Sequence, residues 1–276
     1  GVKFQDGEPF NAAAVKFNIE RHKTMAGSNR KGELSAVSDV EVIDDYTVKF
    51  NLSSPFAPLL AQLTDRAGMM VSPKAATAEG ANFGNHPVCA GPFKFVERVP
   101  QDRIVLERFA DYWDKDKIHF DKVIYQPIPD STVRLSTLRS GVLDFIERVA
   151  APDLPTVRKD SRLKAAAIVE LGYQGITFNV ANGDKAKSPI GQDPRVRQAF
   201  ELAIDRNVIT QVVYNGEFFP GNQWVPPTNP YYIKSIPVPK RDLAKAKALL
   251  AAAGQPHPSF TLMIPNHPAL QQVGQV

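Results

Sequence analysis

Gly172-Tyr173-Gln174-Gly175-Ile176-Thr177-Phe178-Asn179-Val180, followed after a polar join by Asp193-Pro194-Arg195-Val196-Arg197-Gln198-Ala199-Phe200-Glu201-Leu202-Ala203-Ile204-Asp205-Arg206, decides the fold class. The first run alternates. Tyr173, Gly175 and Thr177 lie on one side; Gln174, Ile176, Phe178 and Val180 lie on the other. That is the period of a strand, in residue types that favour strands. The second run opens as a helix. Asp193 can accept from an orphan amide as N-cap, and Pro194 suits the first helical position. Val196, Ala199, Phe200, Ala203 and Ile204 then recur at helical spacing. The join, 182–192, contains two Gly, one Pro and alternating charges, and is expected to be a surface loop. A strand feeding a capped helix is half of an α/β unit.

Outward from that stretch, the chain repeats the theme. Asn11 caps a helix that ends in Arg21-His22-Lys23, where cations suit the helix C-terminus. Residues 37–52 read as a hairpin turning at Asp44-Asp45. Short helices follow Pro58 and Pro73. Residues 91–96 and 103–108 read as paired strands and 122–127 as another. Asp130 caps a helix ending at Gly141. Residues 143–146 read as a short strand and 152–159 as a helix. After Arg206 helix continues or restarts as far as Gly216. Residues 217–239 form a long, proline-rich irregular segment holding Trp224, Tyr231 and Tyr232, and loops that long are usually functional or interfacial. Asp242 caps an alanine-rich helix stopped by Gly254, and 260–264 reads as a last strand. The order of elements predicts an α/β fold with mixed sheets.

Composition narrows the function. The chain has 276 residues, 43% hydrophobic and 22% charged, enough apolar material for a real core. The net charge is +4, but the cations are scattered among nearly as many acids and no arginine-rich tract occurs, which argues against nucleic-acid partners. No apolar run approaches the roughly 20 residues needed to span a bilayer. Cys89 is the only cysteine, which excludes an internal disulfide and a cysteine-based zinc site, and its apolar neighbours make it a packing residue. No nucleophile elbow, phosphate loop, dinucleotide fingerprint or His-Glu-x-x-His motif is present. The five histidines lack ligand-like pairing. No cofactor, metal or catalytic residue is assigned.

Five blocks carry a resemblance. The first is Gly1-Val2-Lys3-Phe4-Gln5-Asp6-Gly7-Glu8-Pro9-Phe10 with an alanine-rich helix ending at Arg21. The second is Gly91-Pro92-Phe93-Lys94-Phe95 with Arg103 to Arg108 and Tyr112-Trp113. The third runs from Pro129-Asp130 through Leu138-Arg139-Ser140-Gly141 to Asp144. The fourth is Asp193-Pro194-Arg195-Val196-Arg197-Gln198-Ala199 with Ala203-Ile204-Asp205-Arg206. The fifth is the helix 244–254. In this order they resemble the extracellular solute-binding proteins of the peptide/nickel ABC-transporter family, family 5. One departure is local: Cys89-Ala90 stand where the family usually has Gly-Thr.

The resemblance implies a class II periplasmic-binding-protein-like fold, two-lobed and here incomplete, because family members extend further on both sides and both ends of this chain read as cut. It implies a small subdomain of the first lobe over 1–88, that lobe's α/β domain over 89–172, and the start of the second lobe over 173–276, with 172–179 crossing between lobes. It implies a monomer that captures a peptide or peptide-like solute between its lobes and delivers it to a membrane permease. The setting would be the periplasm, or the cell surface through a lipid anchor. Family members take peptides, glutathione-like compounds, opines, nickel complexes and some sugars; the sequence does not choose among them. With the second lobe unfinished, this chain alone is expected to bind weakly or not at all.

Such a protein needs a cleft with a few placed polar groups and aromatics. Glu147 and Arg148, between a strand and a helix, could hold the amine and carboxylate of a solute. Tyr173 and Gln174 stand at the crossing. Neighbours on a strand face opposite ways, so one of them meets the cleft, and Tyr173 is preferred. Trp224 could stack on a ligand or pack between elements. Arg195, Arg197, Asp205 and Arg206 are expected to make structural ion pairs. The competing readings are a hydrolase of peptides or glycosides using carboxylates and a non-catalytic interaction module.

Overall fold

Asn11 does what a cap should: its side chain accepts from the Ala14 amide at 3.0 Å, and helix α1 follows over Ala12–Thr24. The structure is a computed structural model describing residues 1–276, and it divides into two compact units, Gly1–Pro127 and Ile128–Val276.

In the first unit, α1 lies on the antiparallel hairpin of β1 (Val37–Asp44) and β2 (Thr47–Leu52). The tip turns where expected, with Asp44 accepting from the Tyr46 amide at 2.8 Å. Ile19, Leu34, Val37, Val40 and Ala67 form the buried core, flanked by Val15, Val48, Phe50 and Met70. Each large aliphatic side chain buried here contributes about 1.5–3 kcal/mol. Asn18 is fully buried among them. Its amide donates to the carbonyls of Ala14 and Val71, both at 2.9 Å, and its Oδ1 accepts from the Val71 amide at 2.9 Å. Every polar atom of the side chain is thereby satisfied. Two short helices, α2 (Leu59–Gln62) and α3 (Pro73–Glu79), follow, the latter capped by Ser72. A second sheet has the antiparallel order β3 (Phe93–Val99), β4 (Arg103–Arg108), β5 (Lys122–Tyr125). Gln5 ties the N-terminal turn to it, donating to Gly91 and Phe93 carbonyls at 3.1 and 2.8 Å and accepting from the Cys89 amide. Cys89 is half-buried, and burial pushes its thiol up.

The second unit is helical. Asp130 caps α4 (Ser131–Arg139), and Gly141, at φ +79°, ends it. A 3-10 turn, Ala151–Asp153, leads into α5 (Leu154–Lys159). After α6 (Pro189–Gln192) come α7 (Pro194–Ala203), capped by Asp193, and α8 (Arg206–Tyr214), capped by Asp205, so helix breaks at Ile204-Asp205 and restarts at Arg206 instead of continuing. Asn215, at φ +50°, closes α8. Then come α9 (Leu243–Ala252) and α10 (Pro268–Gln275). Val196 and Ala199 of α7 and Ala246 of α9 are buried, and the two helices are stitched by main-chain and arginine hydrogen bonds. A second core joins Ala151, Val213 and Tyr214 with Ile209, Ala269 and Val273.

Four expectations are corrected. Residues 143–146, 172–180 and 260–264 carry strand periodicity but form no strand. A strand exists only through a ladder partner, and these runs have none within the chain. Two of them are held by aromatic packing: Phe200 of α7 meets Phe178 edge-on at 5.5 Å and Phe260 at 5.3 Å. The join 182–192 is more than a surface loop. It contains a 3-10 turn, Asp184–Lys187, and α6, both tucked down by buried Ala186 and Gly191.

Candidate functional site

All five candidate residues fall in the second unit. Tyr173 leaves the irregular run 172–180 and meets Trp224, from the long segment 217–239, edge to face. The ring centroids are 5.3 Å apart and the planes 86° to one another. The rings support each other through their quadrupoles, yet remain 54% and 77% exposed. Each ring is thus packed against the other while much of its surface faces solvent.

Gln174 has a different partner. Its Oε1 accepts a hydrogen bond from the hydroxyl of buried Tyr214. Burial also pushes the Tyr214 phenol up, so it stays a donor. Tyr214 sits in the core with Ala151, three residues beyond Arg148. One core therefore supports both the Tyr173-Gln174 run and the Glu147-Arg148 turn. It does not bring Glu147 and Arg148 onto the aromatic pair.

Glu147 and Arg148 are exposed, and Arg148 has φ +54°. The ion pairs of the region join Arg139 and Arg162 to Asp160, and Arg158 to Glu217, leaving these two charges free. Sequence reasoning named both residues but missed the positive φ, which no glycine or asparagine announces. It also missed Tyr214, whose role depends on a hydrogen bond 40 residues away in sequence.

The charged residues of the most family-like stretch are used inside the fold. Arg195 grips Asp193, its Nη2 2.6 Å from the carboxylate, and holds that carboxyl below its usual range. Arg197 donates to the carbonyls of Ile190 and Gly191 at 3.1 and 2.9 Å. Arg206 pairs with Glu201 at 3.2 Å. Of the surface recesses, one of 360 Å³ is lined by Thr132, Leu135, Ser136, Arg139, Asp153 and Thr156, and one of 440 Å³ lies beside Phe17 and Arg21. Neither includes a candidate residue. No group of three or more His, Cys, Asp or Glu is placed to hold a metal ion.

The profile of the bacterial extracellular solute-binding proteins, family 5 middle region, matches residues 1–275. The chain belongs to that family.

Among this solute-binding family's curated members, the glutathione-binding protein GsiB of Pectobacterium atrosepticum is 33% identical over 279 residues, covering 100% of this chain and 53% of that protein. The chain thus spans about half the length of the curated relatives it matches. Among solved structures, the periplasmic binding protein AgaA of A. tumefaciens R10, in complex with agropinic acid, aligns with a TM-score of 0.78 at 30% identity, over 92% of this chain and 51% of AgaA. The oligopeptide-binding protein AppA of Bacillus subtilis, in complex with a nonapeptide, aligns at 0.77 and 26% identity, over 92% and 50%. The fold is that of the periplasmic binding proteins, mixing helices and sheets, with this chain supplying about half of it. No helix is long and apolar enough to cross a membrane.

Proposed function

We propose that this solute-binding family member captures a peptide-like small solute, with glutathione and short peptides as the leading class, and delivers it to the membrane permease of an ABC importer. The observation that carries the reading is the Tyr173–Trp224 pair: two rings fixed by each other and largely exposed, on a chain 33% identical to a glutathione-binding protein. Glu147 and Arg148 supply free charges of both signs for a dipolar solute. Gln174, tied to Tyr214, sets the orientation of the run that carries Tyr173.

The reading includes the division of the chain into 1–88, 89–172 and 173–276, with 172–179 as the crossing between two lobes. It makes the protein a monomeric binder without catalytic or nucleic-acid function. It places the protein in the periplasm, or on the cell surface behind a lipid anchor.

The test is thermal stabilisation of the complete gene product by glutathione, short peptides, opines, sugars and nickel chelates, since a ligand selective for the native state raises stability by mass action. A shift with glutathione or a peptide, lost in the Tyr173→Ala and Trp224→Ala variants, is expected. No shift across that set rejects the reading. Hydrolysis of the added peptide supports the carboxylate hydrolase in its place.

A further inference from the structure

We infer that Arg134 is a positioning residue, holding the Glu147-Arg148 turn in a strained backbone conformation that keeps both charges free for the solute. The inference rests on the solute-binding reading above.

Three residues other than glycine have positive φ: Gln101, Arg148 and Asn215. Gln101 sits in the turn between β3 and β4, and Asn215 closes α8. Both are places where chain geometry asks for that conformation. Arg148 lies at neither. At φ +54° its Cβ crowds the backbone, a strain that Gly, Asn or Asp would relieve. Its side chain stands in water, outside the ion pairs that tie up its neighbours. The guanidinium makes no ion pair or side-chain hydrogen bond there. Strain of this kind persists where the surroundings enforce it and function uses it.

The enforcing group is visible. From α4, Arg134 donates Nη2 to the Arg148 carbonyl at 3.1 Å and Nη1 to the carbonyls of Ile128 and Pro129 at 2.6 and 3.1 Å. One planar guanidinium therefore fastens the entry of α4 to the turn 14 residues beyond Arg134 itself. Those three acceptors are all main-chain carbonyls, and its Nε is buried with no partner.

The closing experiment has one arm that needs no ligand. Limited trypsin digestion of the complete gene product is followed by mass spectrometry at the Arg148–Val149 bond. Arg134→Met is expected to speed that cleavage about tenfold, since a released turn opens more often, whereas Arg139→Met leaves it unchanged. Arg134→Lys keeps the charge but cannot span both sides, and gives the same acceleration if the Met variant does not fold. Arg148→Gly is expected to raise the unfolding temperature while weakening binding of glutathione, used as the probe, about tenfold or more. Unchanged cleavage in both Arg134 variants overturns the clamp, and a lowered unfolding temperature in Arg148→Gly overturns the strain. If these arms hold and the parent protein ignores glutathione and peptides alike, the solute reading fails and the purpose assigned to the clamp fails with it, although the contact itself stands.

Discussion

Arg158 and Glu217 meet through two parallel hydrogen bonds, Nη1 to Oε1 at 2.5 Å and Nη2 to Oε2 at 2.9 Å. This bidentate pair fastens the last turn of α5 to the start of the long segment that carries Trp224. It is the only charged link from that segment's beginning to a helix ahead of the 172–180 run.

The pair, with its neighbours, sets how the fold responds to acid. Arg158 holds the Glu217 carboxyl below its ordinary range, and the hydrogen bond from Arg162 lowers Asp160 to about 2. A carboxyl whose pKa is depressed by folding stabilises above its unfolded value, about 4, and loses that contribution as pH falls through the folded one. The unfolding temperature is expected to be level near neutrality and to fall below about pH 4. In the Arg158→Met, Arg162→Met double variant the fall is shallower. Identical profiles for parent and variant would count against the linkage.

Asn18 gives the largest predicted loss in the first unit. Asn18→Ala leaves both the amide and the carbonyl of Val71 without their partner. Each unpaired, partly buried group costs about 1–3 kcal/mol, and the sum expected from urea unfolding is about 2–6 kcal/mol. A loss well under about 1 kcal/mol would mean that water reaches Val71.

Glycines at two ends of one stretch are expected to behave oppositely. A Cβ on Gly191 would sit 2.1 Å from the Ala186 carbonyl oxygen and 2.7 Å from that of Asn179, both main chain and unable to swing away. Gly191→Ala should therefore cost about 2–3 kcal/mol by overpacking. A Cβ on Gly172 meets nothing within 4 Å. Gly172→Ala should change stability by no more than about 0.5 kcal/mol. Equal effects would show that α6 does not sit against Asn179.

Helix α8 begins at a single side chain. Asp205 accepts from the amides of Asn207 and Val208, each at 3.1 Å. Asp205→Ala should cost about 1 kcal/mol, and Asp205→Asn only a fraction of that. An alanine variant as stable as its parent would show that packing of Val213 and Tyr214 alone starts the helix.

What could be read from the chain followed from distance along it. The caps at Asn11, Asp130, Asp193 and Asp242 were legible because a side chain and the amide it serves lie two or three residues apart. The hairpin 37–52 was legible for the same reason. Residues 143–146, 172–180 and 260–264 misled because alternation shows a strand's faces and never its partner. Helix α10 went unread although Pro268 opens it and Leu270 and Val273 are helically spaced, because the run is short and weakly apolar. The site split likewise. Both Tyr173 and Gln174 could be named from their run, but the meeting of Tyr173 with Trp224 crosses a segment with no period to follow. The φ of Arg148 has no sequence signal at all.

Phe200 touches Phe178 on one flank and Phe260 on the other, both nearly perpendicular at 87° and 82°. Two runs without ladder partners thus share one ring. In descendants of this sequence the three positions should drift as a set: a smaller residue at 200 must be answered by bulk at both 178 and 260, so tolerance to substitution there belongs to the trio and to none of its members alone.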